Sequence, residues 1–138
     1  MLIDEGLEVL TEEQCLELLA GGPVGRVGVT MHGLPVIMPV NYALVDGDII
    51  FRTSHGTKLQ AATEHAVIAF EVDTHDAEGQ SGWSVLAIGR SSSVTDEAEQ
   101  AALDQYEITP WAGGERNTYV RLRPELISGR RIARECKL

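Results

Sequence analysis

Leu34 to Thr53, LPVIMPVNYALVDGDIIFRT, is the stretch that decides the fold. An apolar run from Leu34 to Val45 meets Asp46-Gly47 and returns as Asp48 to Thr53. Asp-Gly suits a two-residue hairpin loop, whose central residues both need positive φ. The segment therefore predicts two long antiparallel strands. Pro35 and Pro39 interrupt the first of them. Proline has no N–H to give to a ladder, so parts of that strand should lie at a sheet edge or beside a bulge.

The pattern extends in both directions. Val24 to Met31 alternates Val27, Val29 and Met31 with Gly28 and Thr30, a half-buried strand, and His32-Gly33 can turn it into Leu34. Ala66 to Val72 is a short buried strand, Asp73 to Gly82 a polar loop, and Trp83 to Val94 a long strand bent at Gly89. Tyr119 to Leu122 and Ile127 to Ile132 are two further strands parted by Pro124. Helical signals are fewer. Thr11 and Gln14 form a capping box for a helix over about 11–20, which Gly21-Gly22-Pro23 stops. Leu59 to Thr63 should make a helical turn or two, and Asp96 to Tyr106 a helix with acidic residues in its first turn. Six or seven strands joined by short turns predict a mainly β protein, a closed or split barrel, in one domain over 1–138.

Charge narrows the partners. The chain carries a net −10, which argues against nucleic acid and anionic membrane surfaces. The balance is uneven: residues 1–116 hold 5 Lys/Arg against 19 Asp/Glu, whereas the segment 117–138 holds 6 against 2. That basic segment complements the acidic body. Cys15 and Cys136 are too few for a disulfide framework, and no metal spacing exists. The four histidines, His32, His55, His65 and His75, make no zinc motif. The N-terminus lacks a basic region followed by an apolar run, and no segment approaches the roughly 18–20 apolar residues of a membrane span. A cytoplasmic location is expected.

One stretch concentrates anion-binding chemistry. Phe51 to Lys58, FRTSHGTK, places Arg52 and Lys58 around three hydroxyls, a histidine and a glycine. Arg52 can fork onto phosphate oxygens, Lys58 adds a point charge, and Thr53, Ser54 and Thr57 can donate hydroxyls. Read alone, the stretch fits either an anion site or a solvated hairpin end with capping hydroxyls. No P-loop, G-x-S-x-G or G-x-G-x-x-G pattern occurs.

The order of the pieces is more specific than any one of them. A capped helix leads to GRVGV, LPVIMPVNY, the D-G hairpin, IIFRTSHGTKL, VIAFEVD, GWSVLAIGR and ISGRRI. This order resembles the pyridoxamine 5′-phosphate oxidase-like family of flavin-binding split barrels, from about residue 10 to about residue 132. The resemblance implies a six-stranded antiparallel split barrel that forms a homodimer, with flavin mononucleotide (FMN) in a groove at the interface. Phe51, Arg52, Thr53, Ser54, Thr57 and Lys58 look like the phosphate and ribityl contacts. Pro39, Val40 and Asn41 look like the strand beside the flavin ring. Trp83, Ser84 and Val85 look like a neighbouring strand of the same groove, contributed by the partner. Some relatives hold a deazaflavin or haem instead, and some hold no cofactor, so a non-catalytic carrier of flavin, deazaflavin or haem, or a cofactor-less structural dimer, are the alternatives. The chain is short for a true pyridoxamine phosphate oxidase and lacks that enzyme's extra C-terminal pieces. A small flavin-dependent reductase of a quinone- or nitro-like acceptor is the resulting expectation. No catalytic acid or base is evident, and His55, Arg130 and Arg131 receive no role.

Overall fold

The computed structural model describes residues 2–4, 6–110 and 117–132. Its strands are β1 (Leu2–Asp4), β2 (Leu7–Val9), β3 (Val24–Met31), β4 (Leu34–Val45), β5 (Asp48–Ser54), β6 (Ala66–His75), β7 (Gly82–Ser93) and β8 (Asn117–Ile132). The helices are α1 (Glu12–Leu19), α2 (Lys58–Ala62) and α3 (Glu97–Leu103), the last running into a 3₁₀ turn, Asp104–Tyr106. All strand pairs are antiparallel. β3 pairs with β4, β4 with β5, β5 with β8, β8 with β7, β7 with β6 and β6 with β3, which closes a six-stranded barrel. The hairpin β1–β2 adds to β8 outside this circle.

Local chemistry accounts for the corners. Asp46 and Gly47 both sit at positive φ (51° and 85°), as the Asp-Gly hairpin requires. His32 and Gly33 do the same between β3 and β4. The α1 capping box is complete: Gln14 N–H donates to Thr11 Oγ1 at 3.1 Å, and Thr11 N–H donates to Gln14 Oε1 at 2.9 Å. β4 meets β5 only from Tyr42 to Val45, so its first part is paired with β3 alone. Pro35 and Pro39 fall in that one-sided part, as their missing N–H demands.

Two expectations need correction. The last two strands are one continuous strand, β8, because Pro124 stands opposite the register shift at Ile88/Gly89, where the ladder loses a bond anyway. A Cβ on Gly89 would lie 1.9 Å from the Arg123 carbonyl oxygen, so this crossing needs glycine. The polar segment expected as a loop from Asp73 begins later, since β6 holds its pairing with β7 out to His75. The β1–β2 hairpin was not expected at all. Residues 133–138, the end of the basic segment together with Cys136, lie outside the described residues.

The barrel interior is filled by alternate residues of every strand, among them Val27, Val40, Ile49, Phe51, Phe70, Val85, Val120 and Leu122. A Cβ on Gly25 would lie 2.2 Å from Phe70 Cζ, so that ring occupies the space the glycine leaves. Helix α1 plugs one end with Cys15 and Leu19, and Tyr42 OH donates to the Leu19 carbonyl. A second, smaller core lies outside the wall. Ile50, Val94, Leu103, Ile108 and Tyr119 pack where α3 and the segment after it cover β5 and β8. Among the described residues, no helix is long and apolar enough to cross a membrane.

Candidate functional site

Alternation along β5 sets the site. Ile49, Phe51 and Thr53 point into the barrel, while Ile50, Arg52 and Ser54 point outward. Ile50 disappears under the outer core, and Arg52 emerges at its edge, level with Tyr119 of β8. The Arg52 guanidinium lies 5.0 Å from the centre of the Tyr119 ring, a cation–π contact, and donates through Nη1 to the Ile108 carbonyl at 3.1 Å. Next to it, Asn41 Nδ2 donates to the Thr109 carbonyl at 2.8 Å. Two consecutive carbonyls of one covering segment thus hold both side chains. Tyr119 OH donates to Asp104 Oδ1 at 2.6 Å. Burial, seconded by the Asp104 carboxylate, pushes the Tyr119 phenol up, so it keeps this proton at neutral pH.

The end of β5 is unusual in what it leaves unmade. Arg52 Nε, Thr53 Oγ1 and Ser54 Oγ are buried atoms without a hydrogen-bond partner. An unsatisfied buried polar group costs about 1–3 kcal/mol. Arg52 Nε and Ser54 Oγ, both on the outward face of β5, mark a place where a ligand's oxygens would be satisfied, whereas Thr53 Oγ1 faces the barrel interior.

The rest of FRTSHGTK is held by itself. Thr57 Oγ1 donates to the Ser54 carbonyl at 2.8 Å and accepts Gln60 N–H at 3.2 Å, which caps α2. Gly56 N–H donates to Gln60 Oε1 at 2.6 Å. His55 Nδ1 lies 3.4 Å from Thr118 Oγ1. The Thr57 hydroxyl is therefore occupied as a cap, the role an ordinary hairpin end would give it. Lys58 is exposed and lines a separate cleft of about 280 Å³ with Thr30, Met31 and His32, in which Arg52 takes no part.

The remaining expected residues fall in three places. Val40, Phe51 and Val85 are core residues, 4%, 0% and 0% exposed, so they offer only backbone to a groove. Pro39 is exposed on the outer wall opposite Arg26. Trp83 and Ser84 line a cleft of about 240 Å³ with Leu7, His75, Arg130 and Ile132. Trp83 is level with Arg131 on β8, whereas Arg52 is level with Tyr119. Those two β8 positions are twelve residues apart, a contour of about 40 Å at about 3.3 Å per residue. One chain does not bring both groups to one small-molecule site. Arg131 is engaged by Glu8 at 2.7 and 2.9 Å, and that fork holds the Glu8 carboxyl below its usual range.

Ile108, Thr109, Asp104 and Tyr119 escaped the sequence reading. Tyr119 could have been found, because the β8 alternation places it opposite Arg52. The carbonyls of 108 and 109 carry no sequence signal.

Comparison with known proteins settles the family. The model of the family described as pyridoxamine 5′-phosphate oxidase matches residues 11–131. This chain belongs to that family. An uncharacterized protein of Mycobacterium tuberculosis is 35% identical over 133 residues, covering 93% of this chain and 87% of that one. Among solved structures, the FAD binding protein from Mycobacterium smegmatis superposes with a TM-score of 0.77 at 35% identity, covering 90% of this chain and 98% of that chain. A conserved protein of unknown function from Corynebacterium diphtheriae gives 0.76 at 28% identity, with 91% and 98% covered.

Proposed function

We propose that this family member is a flavin-dependent oxidoreductase that works as a homodimer and reduces a quinone- or nitro-like acceptor. The observation that carries the proposal is the pair of unpartnered buried polar atoms on the outward face of β5, Arg52 Nε and Ser54 Oγ. These donors fit the flavin's phosphate end: a guanidinium N–H and a hydroxyl suit oxygen-rich anions, and the Tyr119 ring already fixes the guanidinium plane. Lys58, the first residue of α2, lines a separate cleft and is not one of these donors. Asn41, with its amide fixed by Thr109, supplies a polar edge to the adjoining strand. When bound, a flavin supplies the two-electron chemistry, and the protein's part is to bind, orient and exclude water. The FAD-binding relative at 35% identity makes FAD, beside FMN, the first flavin to try.

Two features support the dimer. Trp83 and Ser84 stand far along β8 from Arg52, so a second copy is what would complete the groove. The outer wall of β4 and β6 also exposes Ile37 and Val67 at 74% and 61%, an apolar surface suited to a partner.

The test is the absorption spectrum of the purified protein, with mass spectrometry of whatever it releases. Flavin absorbance near about 450 nm, and its loss in Arg52→Ala with the fold retained, are expected. A protein that stays colourless after incubation with both FMN and FAD ends the proposal. A protein that binds flavin but never passes electrons from a nicotinamide donor to an acceptor is a carrier instead.

A further inference from the structure

The chain's other concentration of cations lies away from this site. Arg90 of β7 and Arg123 of β8 stand directly opposite each other in register, and one step along the same face Ser92 stands opposite Arg121. Like charges facing each other across a pair of strands are destabilising. In a chain of net charge −10 with only eleven Lys and Arg, three arginines in one such patch need a reason. The three line a cleft of about 390 Å³ with His65, Ser91 and Ser92.

The state of these side chains is informative. No carboxylate lines the cleft. Arg90 and Arg123 are each 73% exposed, and their nearest carboxylates, Glu125 and Asp48, stand at 3.8 and 3.7 Å. Neither guanidinium donates a hydrogen bond among the described residues, so each keeps its five N–H donors. Such long, exposed ion pairs contribute about 0–1 kcal/mol and yield easily to a better acceptor. Arg121 differs. It is 19% exposed, contacts Asp48 at 3.3 Å and donates to Glu99 of α3 at 3.1 Å, which fixes it as the wall of the cleft. The floor is Ser91, whose hydroxyl is bonded to the Thr63 and Ala66 carbonyls. The Ser92 hydroxyl has no partner among the described residues.

We propose that this cleft binds a diphosphate group, free or carried by a nucleotide. Two opposed guanidinium forks, free of hydrogen bonds among the described residues, present donors on both sides of the cleft, which the two phosphate groups of a diphosphate would meet together. An anion between Arg90 and Arg123 also turns their mutual repulsion into two attractions. The cleft shares no residue with the β5 end, and the proposal stands independently of the flavin.

Isothermal titration of the full chain with inorganic pyrophosphate, at low ionic strength and without divalent metal, tests it. Wild type should bind at sub-millimolar concentration, and Arg90→Gln/Arg123→Gln should bind at least tenfold more weakly. Raising salt should weaken the binding, as screening of exposed charges requires. Circular dichroism checks that the double variant, altered only at exposed side chains, keeps the wild-type fold. ADP binding more tightly than pyrophosphate assigns the cleft to nucleotides; equal or weaker binding assigns it to the bare diphosphate. No binding to wild type, or undiminished binding to the double variant, overturns the proposal.

Discussion

Two outward faces of one barrel have opposite fates. The β5–β8 face is covered by its own chain: α3 and residues 107–110 bury Ile50 completely and leave Tyr119 only 7% exposed. The β3–β4–β6 face has the apolar residues but, among the described residues, no cover, and Ile37 is 74% exposed. Its cleft of about 370 Å³ runs over Gly28, Ala69 and Leu86, with Arg26, Glu71 and Asp73 at one side. The difference teaches where intramolecular packing ends and association begins. On the covered face an arginine can be aimed by carbonyls of the same chain. On the bare face a second copy would have to do the covering.

Substitutions can break this contrast. The largest effect is expected from Ile37→Asp, which the dimer reading places in a buried contact. An uncompensated buried charge costs several kcal/mol, so size-exclusion chromatography should show the wild-type dimer converted to monomer, with chain stability within about 0.5 kcal/mol. A wild type that already elutes as a monomer removes the dimer from the account. Leu103→Ala, on the covered face, should instead destabilise the chain itself by about 2–5 kcal/mol in urea unfolding.

A third experiment uses pH. Burial, with Asp73 beside it, pushes the Glu71 carboxyl up to about 7 from 4.5, against the opposing pull of Arg26. The folded state therefore keeps a proton that the unfolded chain has released between those values. Stability should be greatest below about 4.5 for this group and decline as pH rises toward 7. With the group one-third exposed, the decline should be about 1–2 kcal/mol. Glu71→Gln should flatten that part of the stability–pH curve; an unchanged slope would show that Glu71 titrates normally. The smallest effect sharpens the site: Asn41→Ala removes one hydrogen bond to Thr109, about 1 kcal/mol of stability, and should weaken flavin binding less than Arg52→Ala does.

Much of the barrel was legible because period-two alternation and Asp-Gly chemistry are local. β3 and β4 begin and end where those signals do, and Pro35 and Pro39 marked the one-sided part of β4. What failed was non-local. Pro124 looked like a strand break because nothing in β8 itself reveals the Ile88/Gly89 bulge opposite. β1 and β2 are three residues each, too short to show a period; β2 forms a strand against β8 and β1 against β2. At the site, composition singled out Arg52 but could not say that its guanidinium lies on Tyr119 and under Ile108, since those contacts span more than fifty residues. Composition also treated FRTSHGTK as a unit, whereas the fold bends its second half, exposed, into the cap of α2.

β8 has a consequence for how the chain is made. It pairs with β5 along its first half, with β7 along nearly all of its length and with β2 at its end, where Leu7 meets Ile132. No earlier strand can stand in for it. As the chain leaves the ribosome, β3 to β7 are complete while the gap between β5 and β7 is still open, and β2 waits for a partner more than a hundred residues away. Such long-range closure is slow and leaves unpaired edges exposed meanwhile. The strand that completes the barrel is thus also its folding checkpoint, and the newborn protein is most vulnerable to aggregation just before that strand arrives.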